Sequence, residues 1–122
     1  MAKILVVDDS MLSRRMMRTI LESDGHEVCE ATDGMSGIER YFLEKPDLVT
    51  LDLTMEGLHG LDVLARIRQI DPKARVIVAS ADIQDATRAL VMEAGAKAFV
   101  NKPFNPRQVL EAVRSALQGG AS

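Results

Sequence analysis

One cysteine, no tryptophan and only four aromatic side chains occur in this chain, and each shortage removes a class of protein. The lone Cys29 cannot form an internal disulfide and has no second thiolate with which to hold a metal. It lies in a stretch of alternating apolar residues and reads as a small packed hydrophobe. The aromatics Tyr41, Phe42, Phe99 and Phe104 do not interleave with a dense basic run, and the net charge is −3, so direct nucleic-acid binding is not expected. Long apolar runs are also missing. Ile4 to Val7 ends at two aspartates, which fits neither a signal peptide nor membrane insertion, and a cytoplasmic location is the expectation. His26 and His59 lack partners at ligand spacing and read as facing water. Arg14, Arg15 and Arg18 cluster, which reads as the solvated face of an early helix, with a partner contact as the alternative.

What is present is a fivefold alternation. At 122 residues and 47% hydrophobic content the chain suits one continuous core. Short β-branched runs at Lys3–Val7, His26–Glu30, Asp47–Leu51, Arg75–Ala79 and Ala98–Val100 alternate with amphipathic stretches. Ile4-Leu5-Val6-Val7 and Val76-Ile77-Val78-Ala79 are apolar at successive residues, as a strand covered on both faces requires. Leu12, Met16 and Ile20 recur at helical spacing, as do Leu61, Leu64 and Ile67, and then Val109, Leu110, Val113 and Leu117; each set is expected to face a sheet. Gly25, Asp33-Gly34, Lys45-Pro46, Asp71-Pro72 and Gly95 mark the boundaries. The pattern predicts a doubly wound α/β domain over residues 1–118, a three-layer sandwich of five parallel strands and five helices, with 119–122 a flexible tail.

In such a sheet ligands bind beyond the carboxyl ends of the strands, so the residues there carry the chemistry. Asp8 and Asp9 follow the first run, Asp52 the third, Ser80 the fourth, and Lys102-Pro103 the fifth. Three carboxylates in reach of one another repel unless a cation sits among them. Hard oxygen donors point to Mg²⁺ or Ca²⁺, and too few are available for a Ca²⁺ cage, which favours Mg²⁺ with its retained waters. Charge of roughly −3 from the aspartates is met by roughly +2 from the metal and +1 from Lys102. A neutral pocket of that kind suits transfer of a phosphoryl group to Asp52, with Ser80 supplying a hydroxyl to the new phosphate. Because Ser80 belongs to a different loop, drawing it inward would couple chemistry to shape. Taken singly, each residue could be a helix cap, a turn residue or a solvated lysine. Five at matching strand ends have no reason to assemble as independent caps.

Asp8-Asp9-Ser10 after Ile-Leu-Val-Val, Asp52 in Asp-Leu-Thr-Met-x-Gly-x-x-Gly, Ser80-Ala81, and Phe99-Val100-x-Lys102-Pro103-Phe104 together resemble the receiver domain of two-component response regulators of the stand-alone, CheY-like kind, from about Lys3 to Leu117. The resemblance implies a flavodoxin-like strand order of 2-1-3-4-5. It implies that Asp52 is the phosphoacceptor, that Asp9, Asp52 and the Thr54 carbonyl ligate Mg²⁺ with Asp8 acting through water, and that Ser80 and Lys102 hold the phosphoryl oxygens. Mn²⁺ is expected to substitute for Mg²⁺. A cis peptide is expected before Pro103. Phe99 falls at the family's rotameric aromatic switch but lacks a hydroxyl, so any signal it carries must pass through packing. The phosphodonor would be a histidine kinase or phosphotransfer protein. The output would be a protein target meeting the face of the fourth helix, fifth strand and fifth helix, with Arg88, Lys97 and Phe99 as candidate contacts. A monomer is expected, with dimerisation on phosphorylation as a variant, and no turnover of an external substrate beyond self-phosphorylation and autodephosphorylation.

Other functions fit less well. A haloacid dehalogenase-type phosphatase needs Asp-x-Asp after its first strand, whereas here the acids are adjacent. A flavin or dinucleotide binder needs a phosphate loop where Asp8 and Asp9 would repel phosphate. An unphosphorylated docking domain, or a receiver excised from a longer regulator or hybrid kinase, shares the fold. Thr54 and Asp82 border the path of the hydrolytic water in this family and are expected to set signal lifetime. Glu56 stands where the family often has proline, and His59 where aspartate is frequent; glutamate frees the loop and adds a fourth acid near the pocket. Mg²⁺ affinity is therefore expected to differ between the parent and Glu56→Pro when both are titrated calorimetrically, and equal affinities would show that Glu56 leaves the pocket unaffected.

Overall fold

A computed structural model describes residues 2–53, 60–81 and 85–119. The elements alternate without exception: β1 Lys3–Val7, α1 Met11–Ser23, β2 Glu27–Ala31, α2 Gly34–Glu44, β3 Leu48–Asp52, α3 Gly60–Ile70, β4 Val76–Ser80, α4 Asp85–Glu93, β5 Ala98–Asn101 and α5 Pro106–Gly119. All strand pairs are parallel, in the order β2-β1-β3-β4-β5. Four strands extend one residue further than the apolar runs suggest, so Asp52 and Ser80 are the last residues of β3 and β4 rather than the first residues after them. Ladder hydrogen bonding, not side-chain polarity, decides where a strand stops. Of the tail expected at 119–122, Gly119 is the last residue of α5, and the rest lies outside the described residues.

Each face of the sheet carries its own apolar core. Leu5, Val7, Val49, Leu51, Val76 and Val78 face Tyr41 of α2, Val63, Leu64 and Ile67 of α3, and Val91 of α4. Ile4, Val6, Leu48, Ile77, Ala79 and Val100 face Met17, Ile20 and Leu21 of α1 and Val109, Val113 and Ala116 of α5. This alternation along β1, β3 and β4 is the period-2 pleat, and it explains why these strands carry apolar side chains on both faces. Burying one such side chain is worth roughly 2 kcal/mol.

α1 departs from its expected register. Ile20 is buried, but Leu12 is 69% exposed and Met16 38% exposed, while Met17 and Leu21 take the inward positions. The Leu12-Met16-Ile20 stripe is therefore displaced toward the flank of the helix, where it joins Phe104 and Pro106 in lining an open groove of about 350 Å³. Nor is the arginine cluster simply solvated. Arg14 and Arg18 both bond Glu30 of β2, and only Arg15 of the three is exposed. The ring of His26 is likewise buried, with Nδ1 accepting the Ala2 amide at 3.1 Å, which corrects the expectation that it faces water. A short turn packed beneath the sheet edge gave no periodic signal by which to foresee this.

Helix starts lie at the site end of the sheet. Ser10 caps α1, its hydroxyl accepting the Ser13 amide at 3.2 Å, and Asp33 and Ser36 form a reciprocal capping box on α2. At the opposite end Gly25 (φ 84°) and Gly95 (φ 107°) turn the chain out of α1 and α4 in a conformation that L side chains resist.

Gly60 opens α3 directly against the end of β3: a Cβ there would lie 2.5 Å from both the Asp52 carbonyl oxygen and Leu53 Cα. Both are backbone atoms with no side chain to swing aside. Gly60→Ala is expected to destabilise the fold by about 2 kcal/mol in urea denaturation, and an unchanged midpoint would show that this junction yields freely.

Candidate functional site

Strand order reverses at β1, whose neighbours are β2 and β3, so the crevice at their carboxyl ends collects side chains from segments far apart in sequence. β1 delivers Asp8 and Asp9, β3 delivers Asp52, β4 delivers Ser80, and the segment after β5 delivers Lys102. Asp8, Asp52 and Ser80 are buried and Asp9 is exposed. Oxygens of Asp8, Asp9 and Asp52 lie within 4.8 Å of one another. Lys102 Nζ stands 3.0 Å from Asp8 Oδ2 and 3.5 Å from Asp52 Oδ2, bridging the two buried carboxylates.

The backbone fixes these positions. The Asp8 amide donates to the Ala31 carbonyl at 3.1 Å, and Arg14 Nη1 donates to the Asp8 carbonyl at 2.8 Å. The Leu53 amide, just past Asp52, donates to Ala79 at 3.1 Å, and the Lys102 amide donates to the Ser80 carbonyl at 3.0 Å. The Lys102–Pro103 peptide is cis, and Lys102 Nζ lies 6.0 Å above the ring of Phe104. Phe99 is half-buried beside α4, with Arg88 Cζ 5.2 Å from its ring centroid; Arg88 and Lys97 are exposed. Thr54, Glu56, His59 and Asp82 lie outside the described residues.

Burial raises the pKa of Asp8 above the ordinary aspartate range, with the charge of Asp52 adding to the effect; the Ser10 amide and Lys102 pull the other way. A buried carboxylate with that shift and two acid neighbours is short of positive charge. Three hard-oxygen donors within one ion's reach, one of them exposed to receive it, are the donor chemistry of a small divalent cation such as Mg²⁺.

The model of the response regulator receiver domain matches residues 4–114. This chain belongs to the receiver family of two-component response regulators. The chemotaxis protein CheY of Thermotoga maritima is 44% identical over 112 residues, covering 91% of this chain and 93% of that protein. CheY of Bacillus subtilis is 43% identical over 116 residues, covering 94% and 97%. Among solved structures, CheY of Borrelia burgdorferi, in a complex with CheX, BeF₃ and Mg²⁺, superposes with a TM-score of 0.89 at 34% identity over 93% of this chain and 87% of that one. A CheY-like receiver of Methanospirillum hungatei gives 0.90 at 27% identity over 98% and 95%.

As a receiver the chain carries the acidic pocket in which this family binds Mg²⁺, formed here by Asp8, Asp9 and Asp52. It is a CheY-like domain of two-component signalling, and no helix among the described residues is long and apolar enough to cross a membrane. Sequence reasoning overlooked two participants. Arg14, read as a surface cation, grips the carbonyl of Asp8. Asn101, between the aromatic and the lysine, ends β5 with its Oδ1 buried. A polar residue in an otherwise apolar run beside a site lysine was the available signal.

Because the folded-state pKa of Asp8 lies above the unfolded one, the metal-free fold binds this proton first. The stability due to this group therefore rises as pH falls through that window. In Asp8→Asn the metal-free urea midpoint at pH 7 is expected to rise, while calorimetric Mg²⁺ affinity drops roughly tenfold or more. The parent's Mg²⁺ affinity is expected to weaken on acidification before ordinary aspartates titrate, a segment that Asp8→Asn lacks. Unchanged affinity in the variant would remove Asp8 from the metal site.

Proposed function

We propose that this receiver takes a phosphoryl group on Asp52 from the phosphohistidine of a histidine kinase or phosphotransfer protein. The observation that carries this is a single lysine held between a buried aspartate at the end of β3 and a second aspartate at the end of β1. In the transfer, an Asp52 carboxylate oxygen forms the new P–O bond as the donor's P–N bond breaks, and the departing imidazole keeps the electron pair and takes up a proton. Lys102 screens the phosphoryl oxygens that approach Asp52, and the Ser80 hydroxyl donates to one of them once they arrive. Asp9, Asp52 and the Thr54 carbonyl would hold Mg²⁺ directly, with Asp8 acting through water; Mn²⁺ would occupy the same donors. The chemistry the ion supplies when bound is charge neutralisation at the phosphoryl oxygens. Thr54, Glu56 and Asp82 would set how long the acyl phosphate survives.

The face of α4, β5 and α5 is the surface offered to an output partner. Arg88 over Phe99, with Lys97 beside them, gives that surface a cationic and aromatic character, and a partner draws the switched conformer only by binding it better than the resting one. The groove lined by Leu12, Met16, Phe104 and Pro106 runs between α1 and the segment that follows Lys102. The unit acting in this way is residues 1–118, monomeric at rest, with pairing of phosphorylated copies as a further step, and it would work in the cytoplasm. An unphosphorylated docking role is disfavoured because the full set of three acids, hydroxyl and lysine is present.

Incubation with Mg²⁺ and a small acyl phosphate is expected to add one phosphoryl mass to the intact chain. Asp52→Asn or prior chelation should abolish the adduct. No adduct on the parent chain, despite measurable Mg²⁺ binding, would overturn the phosphoacceptor assignment and restore the docking reading.

A further inference from the structure

Asp8 is bonded at every polar group it has. Its amide donates to the Ala31 carbonyl at 3.1 Å, its Oδ1 accepts the Ser10 amide at 2.9 Å, its Oδ2 meets Lys102 Nζ at 3.0 Å, and its carbonyl accepts Arg14 Nη1 at 2.8 Å. The last of these acts on the neighbouring acid. A peptide unit is planar, so the Asp8 carbonyl oxygen and the Cα of Asp9 move as one rigid piece. Anchoring that oxygen fixes the direction in which Asp9, the exposed acid of the three, leaves β1. The anchor is itself held. The Arg14 side chain is only 14% exposed, and its Nε donates to Glu30 Oε1 at 3.1 Å while Nη1 reaches the carbonyl, two bonds diverging from one rigid guanidinium plane. Glu30 also accepts Arg18 Nε at 2.5 Å, and its ladder partner is Val6, two residues before Asp8. The contacts therefore close a circuit from β1 through Glu30 of β2 and Arg14 of α1 back to the end of β1.

We infer that Arg14 is a positioning residue of the metal pocket, clamping the Asp8-Asp9 peptide so that Asp9 faces the ion beside Asp52. The inference rests on the reading above that Asp9 and Asp52 hold Mg²⁺ directly. Charge gives no other reason for the guanidinium to be there, since a cation beside a divalent site opposes the ion, and Glu30 offsets much of that opposition. Without Arg14, water can satisfy the Asp8 carbonyl but sets no direction for the peptide. Arg18 supplies the contrast. It lies on the same helix, bonds the same carboxylate and carries the same charge, but its other bonds go to Glu22 and the Val28 carbonyl rather than to the acid segment.

Calorimetric titration of the unphosphorylated chain with Mg²⁺ alone tests this. Affinity is expected to weaken about tenfold in Arg14→Met, as for loss of a group that orients a metal ligand, and to stay within about twofold of the parent in Arg18→Met. The sign is informative, because removing a positive charge near the pocket would by attraction alone tighten Mg²⁺ binding. Both substitutions take an ion pair from Glu30, so a general loosening of α1 against β2 would weaken binding in both alike. Equal or tighter affinity in Arg14→Met, or an equal loss in Arg18→Met, overturns the inference while leaving the phosphoacceptor reading intact. Failure of the parent chain to bind Mg²⁺ overturns the metal-site reading itself, and the inference with it. Should Arg14→Met not fold, Arg14→Lys carries the expected weakening, since it keeps the charge but cannot bond carboxylate and carbonyl from one rigid plane.

Discussion

The ammonium of Lys102, set between Asp8 and Asp52, is the contact on which the rest of the molecule depends. Two carboxylates buried side by side are tolerated only if something positive divides them, and removing one member of a buried charged set leaves the others uncompensated. Here the lysine reaches both, at 3.0 and 3.5 Å, from a strand adjoining neither of theirs. The arrangement is still two positive charges short, since Asp9 adds a third acid within 4.8 Å. That deficit is the physical reason for a divalent ion, and it makes the pocket receptive to a ligand that brings its own cation. A fully neutralised cluster would be a better structural element and a poorer site.

Holding charges from three strand ends together against their preference for water requires a rigid frame, and the doubly wound sheet provides it. Reversal of the strand order at β1 opens a crevice where helices leave in opposite directions. Both faces of β1, β3 and β4 are covered, so these strands cannot slip in register without exposing apolar side chains. The capped starts of α1 and α2 lie at the same edge and satisfy backbone amides that would otherwise compete for the carboxylates. Gly60 lets α3 begin within contact distance of the backbone of Asp52. Precision at the carboxyl edge is thus purchased with close packing immediately beneath it.

The elements legible in the sequence were those where one force dominates. Continuous β-branched runs place the strands because nothing but a doubly covered sheet accepts them, and the acids, hydroxyl and lysine at their ends stand out for the same reason. Strand ends were read one residue short at Asp52 and Ser80, since a polar side chain looks like an exit even where the ladder continues through it. α1 misled more deeply. Leu12, Met16 and Ile20 form an acceptable apolar stripe, but Met17 and Leu21 offer another rotated by one residue, and only the packing partners on α5 and β1 choose between them. Arg14, Arg18 and Glu30 lie on neighbouring elements with no local spacing to announce their pairing. Thr54, Glu56 and Asp82 were singled out by resemblance alone.

An event at the pocket must reach a surface to matter, and β5 is the shortest route. It is an edge strand of four residues that ends in the site: Phe99 touches Arg88 near its start, Asn101 stands beside Ser80 at its end, and Lys102 follows. Its hold on the sheet is one-sided, through β4, with the Lys102 amide bonded to the Ser80 carbonyl. A pull on the Lys102 ammonium therefore acts next to an edge strand, whereas β1, β3 and β4 are clamped on both edges. Phe99 has no hydroxyl with which to lock a new rotamer by a hydrogen bond, so any preference between its positions comes from packing and from the Arg88 guanidinium on its ring face. Those contacts are individually weak, so alternative placements of the Phe99 ring differ by little in free energy, and a modest change in what surrounds it is enough to move the ring.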